Sequence, residues 1–347
     1  MFLRLTHLKV FIKDKNKKGW LKVFKESLHF AWIKKELPID YFRKFLYRKD
    51  VTDYRNYLSL KQYYSIIQSP KMFIPEISSI SDNKLSFALY CEKNNLPTPI
   101  LVSYNLNSSF FFNGTIITIN TKPDLISFFE SIFKNNKQEK LFLKLFNGFG
   151  GKGCILLERK KLKVQIEKFG DSILKNCYVH QEVIIQHPDV NKIYPSSVNT
   201  LRIDTYIDKQ QNIHVLSALM RFGIGGSFTD NASTGGLYIS VNTETGKLQG
   251  KGRQDIIKGG KEFTKHPDSN TVLNGYKIPF VTESCNLVKL ASKSLPNKII
   301  GWDIAITKNG PVIIEGNYGP SLHMTDVAYG GYCKHEKIQE ILKEIKN

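Results

Sequence analysis

Cysteine is scarce in this 347-residue chain, and its few residues are unpaired. Cys91, Cys154, Cys177, Cys285 and Cys333 share no short spacing, which excludes a disulfide-stapled scaffold or a zinc site and makes reduced thiols the expectation. No apolar run approaches the ~20 residues of a membrane-spanning helix. The opening MFLRLTHLKVFIKDKNKKGW mixes Lys and Arg into its apolar positions, so it reads as no secretory leader and a cytoplasmic protein is expected. Acid is in deficit: 31 Asp and Glu against 50 Lys and Arg leave a formal charge of +19. That surplus favours anionic partners such as nucleotides, phosphorylated sugars or anionic lipid surfaces. Missing too are a Gly-Lys-Ser/Thr phosphate loop and a dinucleotide fingerprint. No zinc or aromatic nucleic-acid motif accompanies the charge, so nucleic acid is not an expected partner. There is no internal repeat, and a hydrophobic content of 41% marks a globular chain long enough for two or three subdomains.

What is present centres on IIGWDIAITKNGPVIIEGN near the C-terminal end. Two apolar runs, 299–306 and 312–314, flank Lys308-Asn309-Gly310-Pro311, so the stretch reads as strand, turn, strand. A two-residue Asn309-Gly310 turn would pair Asp303 with Gly316. A three-residue loop with a left-handed Gly310 instead pairs Asp303 with Glu315. The second register is preferred because it puts Trp302, Ile304, Ile306, Val312 and Ile314 on one face and Asp303, Ala305, Thr307, Glu315 and Asn317 on the other; only Ile313 is out of place. Two carboxylates and an amide oxygen on a rigid hairpin are hard ligands that suit Mg²⁺. An ordinary hairpin with a polar outer face is the plainer alternative.

A second informative stretch is LFLKLFNGFGGKGCILLE. A short strand, 141–143, delivers Lys144, and Asn147, Gly148, Gly150, Gly151 and Gly153 make a loop before a strand over 154–157. Clustered glycines turn backbone N–H groups toward one anion and the lysine adds charge, although a glycine hairpin is often only a turn. Elsewhere the periodicity predicts a helical N-terminal segment over 1–75 with a basic aromatic face, suited to a membrane, a lipid-linked substrate or simple packing with Lys on the wet side. A linker bracketed by Pro70 and Pro75 follows, then a helix capped at Ser81-Asp82 that stops before Pro97. Strands are expected at 100–103 and 115–119, and helices from Pro123 and over 160–169. A strand is expected over 178–185, a long hairpin over 199–208 and 213–222 that carries Arg202 and Arg221, and a strand over 237–241. The helix over 282–292 and an amphipathic helix from His335 complete the pattern. Asp255, His266 and Asp268 lie in an irregular region; they are weak candidates for acceptor contact and common turn formers.

The order and spacing of these pieces over roughly residues 80–325 resemble the ATP-grasp superfamily. The resemblance implies an α+β fold of two subdomains that grip ATP, preceded here by a helical N-terminal domain: 1–75, 76–184 and 185–347. Asp303 with Glu315 and Asn317 is similar to the superfamily's pair of Mg²⁺-binding strands, which implies two ions. Lys144 and the glycines Gly148, Gly150, Gly151 and Gly153 match its phosphate grip, and Lys84 is similar to its earlier lysine. Gln181, Glu182, Val183 and Ile184 resemble the hinge that meets adenine. Phe228 to Gly236 resembles a phosphate loop in which Asn231 is the match. Asn199-Thr200-Leu201-Arg202 looks like the Asp-Ile-Arg strand of glutamate-adding peptide ligases.

More narrowly, HPDV…PSSVNTLRI, RFGIGGSFTDN, HPDS…IP and IGWDIAIT…GPVIIEGN look like the sugar-transfer-associated ATP-grasp family, linked to capsule and exopolysaccharide biosynthesis. Three features depart from the pattern: Leu145 stands where Pro often follows the gripping lysine, Thr229 stands where peptide ligases place Arg, and the N-terminal domain is helical.

The resemblance implies an ATP- and Mg²⁺-dependent ligase that joins a carboxylate to an amine through an acyl phosphate, with Arg202 or Arg221 facing the developing charge. A uronic acid and an amino acid are the expected kind of substrates, in the cytoplasm or at the inner face of the membrane. A kinase of a polyanionic acceptor and a non-catalytic partner of a glycosyltransferase are the alternatives. Asp303→Asn and Glu315→Gln are both expected to abolish turnover and spare the fold.

Overall fold

The computed structural model describes residues 5–136, 138–148 and 150–346. Residues 1–4 of the opening segment and Phe149 of the glycine loop lie outside them. The chain divides into two compact units. One groups the chain up to Ile77 with 186–311 and 317–346, and the other groups 78–185 with 312–316. Among the described residues no helix is long and apolar enough to cross a membrane.

In the first unit, α1 (Leu5–Lys13), α2 (Trp20–Lys34), α3 (Ile39–Arg43) and α4 (Leu60–Ile67) open the chain. A capping box starts α4: Ser59 Oγ accepts from Gln62 N at 3.0 Å while the Gln62 side chain accepts from Ser59 N, which satisfies two otherwise orphaned N–H groups. These helices do not form a domain of their own. Phe11, Val23, Phe30, Tyr41, Phe45 and Tyr47 share one buried cluster with Ile256 and Val327. Lys44 is buried between Asp326 at 2.6 Å and Asp40 at 3.2 Å. Burial pulls its pKa down, but the two carboxylates outweigh it and the net shift is upward.

Helix α5 (Pro75–Asp82) follows, so the expected Pro70–Pro75 linker is partly helical: Pro75 opens a helix, where its missing N–H costs nothing. Ser81-Asp82 end that helix instead of capping the next. The cap of α6 (Lys84–Lys93) is Asn83, whose Oδ1 accepts from Leu85 N and Ser86 N.

The second unit is built on an antiparallel six-stranded sheet: β1 (Leu101–Leu106), β2 (Ser109–Phe112), β3 (Thr115–Thr118), β4 (Lys140–Leu145), β5 (Ile155–Glu158) and β6 (Cys177–Glu182). They lie in the order β3-β2-β1-β6-β4-β5. Helix α7 (Lys122–Asn135), capped by Thr121, packs with α8 (Leu162–Lys175). Phe128, Phe129, Ile132 and Phe133 of α7 are buried against Leu141, Leu143 and Ile166, each large side chain contributing roughly 1.5–3 kcal/mol. Strand β6 ends at Glu182, not at Ile185 as expected; Val183 to Ile185 leave the sheet and Ile185 is exposed.

After a short turn of helix, α9 (Pro188–Asn191), come β7 (Thr200–Ile207), β8 (Ile213–Phe222), β9 (Leu237–Val241), β10 (Leu248–Gln254), β11 (Glu262–Phe263), β12 (Ile299–Thr307) and β13 (Gly310–Tyr318). They form a seven-stranded sheet ordered β11-β10-β9-β8-β7-β12-β13. Helix α10 (Val281–Ser294) packs on β7, β8 and β12. The short α11 (His323–Ala328) meets β8 and β9, and α12 (Glu336–Glu344) meets α4. Every residue of β7 is buried, as are Ile299 to Ile306 of β12, so these strands are covered on both faces.

Candidate functional site

Alternation along the paired strands sorts the charged residues of the first unit onto one face. Thr205 and Trp302 turn toward α10: Trp302 Nε1 donates to Thr205 Oγ1 at 2.9 Å, and that hydroxyl meets Ser292 Oγ at 3.1 Å. Arg202 and Asp204 therefore turn the other way, and Asp303 stands directly opposite Arg202 in the β12–β7 register.

Arg202 grips Asp303 with two bonds, Nε to Oδ1 at 2.6 Å and Nη2 to Oδ2 at 3.0 Å. Arg221, from β8, adds a third contact, Nη2 to Oδ2 at 3.0 Å. Asp303 is only 6% exposed. Burial raises its pKa, but the two guanidinium groups outweigh burial and hold it at about 2. Behind this pair lies a network that sequence reasoning did not anticipate. Arg221 Nε donates to Thr200 Oγ1 at 2.8 Å, that hydroxyl donates to Asp230 Oδ2, and Thr200 N donates to the same oxygen at 2.8 Å. Burial pushes Asp230 upward, offset in part by Arg221 and Thr200. Asp204, fully buried, is also shifted upward by burial and accepts from Ser217 and Thr325. The only sequence signal for Asp230 was its place in the polar loop beside Asn231.

Arg202 thus holds Asp303 through both carboxylate oxygens, while Arg221 is shared between Asp303, Thr200 and Asp230, the last at 3.5 Å. Breaking such a buried pair leaves uncompensated charge at a cost of roughly 3–5 kcal/mol, so Asp303→Asn is expected to cost stability as well as turnover.

In the hairpin, Gly310 takes φ 121°, the left-handed residue that a three-residue loop requires. Asn317 Nδ2 donates to Gly301 O at 3.3 Å, which sets these two residues side by side. Ile313, out of place in the face-sorting pattern, is fully buried; its N–H donates to Pro97 O at 2.8 Å and its carbonyl accepts from Thr98 Oγ1. It is thus an anchor of the second unit.

Also in the second unit, Lys84 Nζ reaches Glu315 Oε1 at 3.1 Å and donates to Gly148 O at 2.6 Å. No spacing in the sequence announces that pair. Lys144 on β4 is 8% exposed. Among the described residues no carboxylate comes within ion-pair distance of it. Burial lowers its pKa, with Glu315 and Cys154 acting weakly the other way and Lys84 adding to the fall. Gly150, Gly151 and Gly153 have φ of 65°, 77° and 72°. At Gly153 an added Cβ would lie 2.4 Å from Leu145 Cδ1. The stretch therefore requires glycine both for its backbone and for space.

A buried lysine with no carboxylate within ion-pair distance among the described residues, beside a left-handed glycine turn, is a feature of an anion site. The model described as sugar-transfer associated ATP-grasp matches residues 68–343, most of the chain. The protein belongs to the sugar-transfer associated ATP-grasp family. No curated protein matches its sequence. Similar solved structures include D-alanyl-alanine synthetase A from Vibrio cholerae, at 13% identity and a TM-score of 0.46 over 79% of this chain and 68% of that one. L-amino acid ligase from Bacillus licheniformis is 15% identical with a TM-score of 0.42 over 78% and 50%, and biotin carboxylase from Campylobacter jejuni 11% with 0.45 over 78% and 47%. The chain spans about half the length of the latter two.

The remaining residues of this ATP-grasp protein fall as follows. Gln181, on β6, donates through Nε2 to Pro99 O at 3.2 Å, and Glu182 exchanges bonds with Ile100. Val183 and Ile184 are half-buried in the extended segment beyond the strand. Asn231 caps a turn of 3-10 helix, Ala232–Thr234, and its carbonyl accepts from Gly236 N at 3.0 Å. The three weak candidates are loop holders: Asp255 Oδ1 accepts from Ile257 N, and Asp268 Oδ2 accepts from Gly225 N. His266 is buried, donating through Nε2 to Gly223 O at 2.9 Å and accepting at Nδ1 from Asp268 N, a neutral tautomer that burial favours.

Among the described residues no three His, Cys, Asp or Glu side chains gather as a metal site, and the expected set contains only two carboxylates. Asp303 is held ionised, with two bonds on Oδ2 and one on Oδ1. It therefore keeps one lone pair, on Oδ1, for a further partner. Asn317 is tied through its nitrogen, which leaves its oxygen as the donor. These are the hard oxygen ligands that suit Mg²⁺.

Proposed function

We propose that this ATP-grasp protein is an ATP-dependent ligase that activates a carboxylate as an acyl phosphate and passes the acyl group to an amine. The products are ADP, inorganic phosphate and an amide. The observation that carries this reading is Lys144, buried beside the glycine turn without a carboxylate partner. A buried ammonium of this kind is stabilised by a polyanion, and a triphosphate is the polyanion that the family's name implies.

In this reading Lys144, Lys84 and the backbone of Gly148 to Gly153 hold phosphate oxygens. Gln181, Glu182, Val183 and Ile184 meet the adenine, and Asn231 a phosphate. Asp303, Glu315 and Asn317 would hold Mg²⁺, two ions in all, which when bound neutralises phosphate charge. Arg202 and Arg221 act through Asp303: their charge keeps its carboxylate ionised and fixes the direction of its open lone pair. The carboxylate oxygen displaces ADP from the terminal phosphorus, then the amine nitrogen displaces phosphate from the acyl carbon and gives up a proton. The family context supports a sugar-linked substrate, such as a uronic acid joined to an amino acid in a surface polysaccharide precursor.

The test is to incubate the protein with Mg-ATP, nucleotide-linked uronic acids and amino acids, following ADP and free phosphate while weighing products by mass spectrometry. Equal ADP and phosphate with a dehydrated adduct is the expected result, and Glu315→Gln, whose side chain is partly exposed, should remove it from a folded protein. ADP with a phosphorylated acceptor and no free phosphate would make the protein a kinase. Unchanged turnover in Glu315→Gln would refute the metal assignment.

A further inference from the structure

Among the large apolar residues that the structure leaves exposed, seven fall between residues 12 and 37: Ile12, Trp20, Leu21, Phe24, Leu28, Trp32 and Leu37. Five of these are on α2, each 54 to 75% exposed. At about 100° per residue, Trp20, Leu21, Phe24, Leu28 and Trp32 fall within an arc of about 120°. The residues that α2 buries in the core, Val23, Ser27 and Phe30, occupy a different arc. The helix therefore has two apolar faces, one packed and one open. The open face is anchored at its start, where the Trp20 ring meets Phe11 edge-on at 5.1 Å and Lys17 Nζ lies 5.9 Å over it.

The charge around this face has one sign. Lys9, Lys13, Lys15, Lys22, Lys25 and Lys35 are exposed. Of the three acids between residues 12 and 37, Asp14 pairs with Arg48 at 2.7 Å and Glu26 with Lys18 at 2.7 Å, while Glu36 accepts from Leu60 N and Lys61 N. On α1, next to Ile12, Lys9 and Lys13 line a pocket of about 530 Å³ with Lys15, Arg48 and Lys261; its two acids, Asp14 and Glu262, both pair with Arg48, so the lysines extend the cationic surface. Aromatic and leucine side chains on one arc, flanked by lysines, are the composition of a helix that lies in a membrane interface: rings enter the headgroup and acyl boundary while ammonium groups meet anionic lipid.

We propose that α2, with the end of α1, docks this protein on the surface of an anionic bilayer. A second copy of the chain is disfavoured as the occupant because it would bring the same lysines against one another. The docking goes beyond the ligase reading and does not depend on it.

The test is flotation of the full chain with vesicles of phosphatidylcholine alone or mixed in equal parts with phosphatidylglycerol. The protein should float with the anionic vesicles only, and added salt should release it. Trp20 and Trp32 should shift their emission to the blue, whereas Trp302, fully buried, serves as the unmoved reference. The variant Leu21→Ser/Phe24→Ser/Trp32→Ser should lose roughly tenfold or more in partitioning with an unchanged melting temperature, and Lys22→Glu/Lys25→Glu should lose the preference for anionic lipid. Failure of the wild type to float would overturn the proposal. So would undiminished floating of the triple variant, or a solution dimer that the triple variant dissociates.

Discussion

Replacing Asp303 with Asn removes one charge from between two buried guanidinium groups and leaves the side-chain volume almost unchanged. Two magnitudes bear on the outcome. Moving a carboxyl from 3.8 to about 2 corresponds to about 2 kcal/mol. Breaking a buried ion pair costs roughly 3–5 kcal/mol. The first figure counts only the proton equilibrium of Asp303, whereas the variant also takes from Arg202 its two-oxygen partner and leaves Arg221 with Asp230 at 3.5 Å, so the larger range is the expected loss. The pH dependence has a definite sign. A carboxyl with a lowered folded-state pKa contributes stability above its unfolded value of 3.8, and that contribution disappears as pH falls through about 2. The gap between wild type and variant should therefore be widest near neutral pH and narrow below about pH 4. Urea denaturation of both proteins from neutral pH downward measures this directly. A variant within about 1 kcal/mol of the wild type at neutral pH, or a gap that does not change with acid, would refute the account of Asp303 as the counterion of two buried arginines.

Lys144→Met should raise the melting temperature, because it removes a buried cation that lacks an ion partner, while ATP-analogue affinity by calorimetry falls roughly tenfold or more; a lower melting temperature would contradict this. Since burial lowers the pKa of Lys144, wild-type affinity for the analogue should weaken as pH rises toward that lowered value, before ordinary lysines titrate; Lys144→Met should show no such slope. Lys44→Met should cost about 3–5 kcal/mol in urea denaturation, because it leaves Asp326 buried without its cation, although Asp40 keeps Arg43 at 2.9 Å; a loss below about 1 kcal/mol would mean that water reaches Asp326. Gly153→Ala should destabilise by roughly 1–3 kcal/mol, from a left-handed backbone and the approach to Leu145. A neutral result would show that the turn can rearrange.

The hairpin with Asp303, the left-handed glycine turn after Lys144 and the helices around Phe129 and Val288 were legible in the sequence, because each is a local pattern of period 2, period 3.6 or clustered glycine. The expected hairpin over 199–208 and 213–222 does carry Arg202, but only the register of β12 on β7 places it opposite Asp303. What stayed hidden was non-local. Lys84 and Glu315 meet although they are 231 positions apart in the sequence (315 − 84), and nothing in either neighbourhood names the other. Strand β10 was missed because its sequence, LQGKGRQ, lacks apolar alternation; the sheet is completed there by backbone bonds to Val241 and Ser240. Residues Ser81-Asp82 carried a capping signature, but the adjacent Asn83 accepts two N–H groups and wins.

The pairing of Lys44 with Asp326 has a consequence for synthesis. The two residues are 282 positions apart, and at 5–20 residues per second a ribosome needs on the order of 15–60 s to travel between them. Helices α1 to α4 are synthesised well before Ile256 and Val327, which complete their core. Throughout that interval Tyr41, Phe45 and Tyr47 have no permanent neighbours from the later part of the chain. The nascent protein therefore presents an apolar, basic segment to the cell during that interval, and a chaperone or an anionic surface that holds this segment would govern the yield of folded molecules.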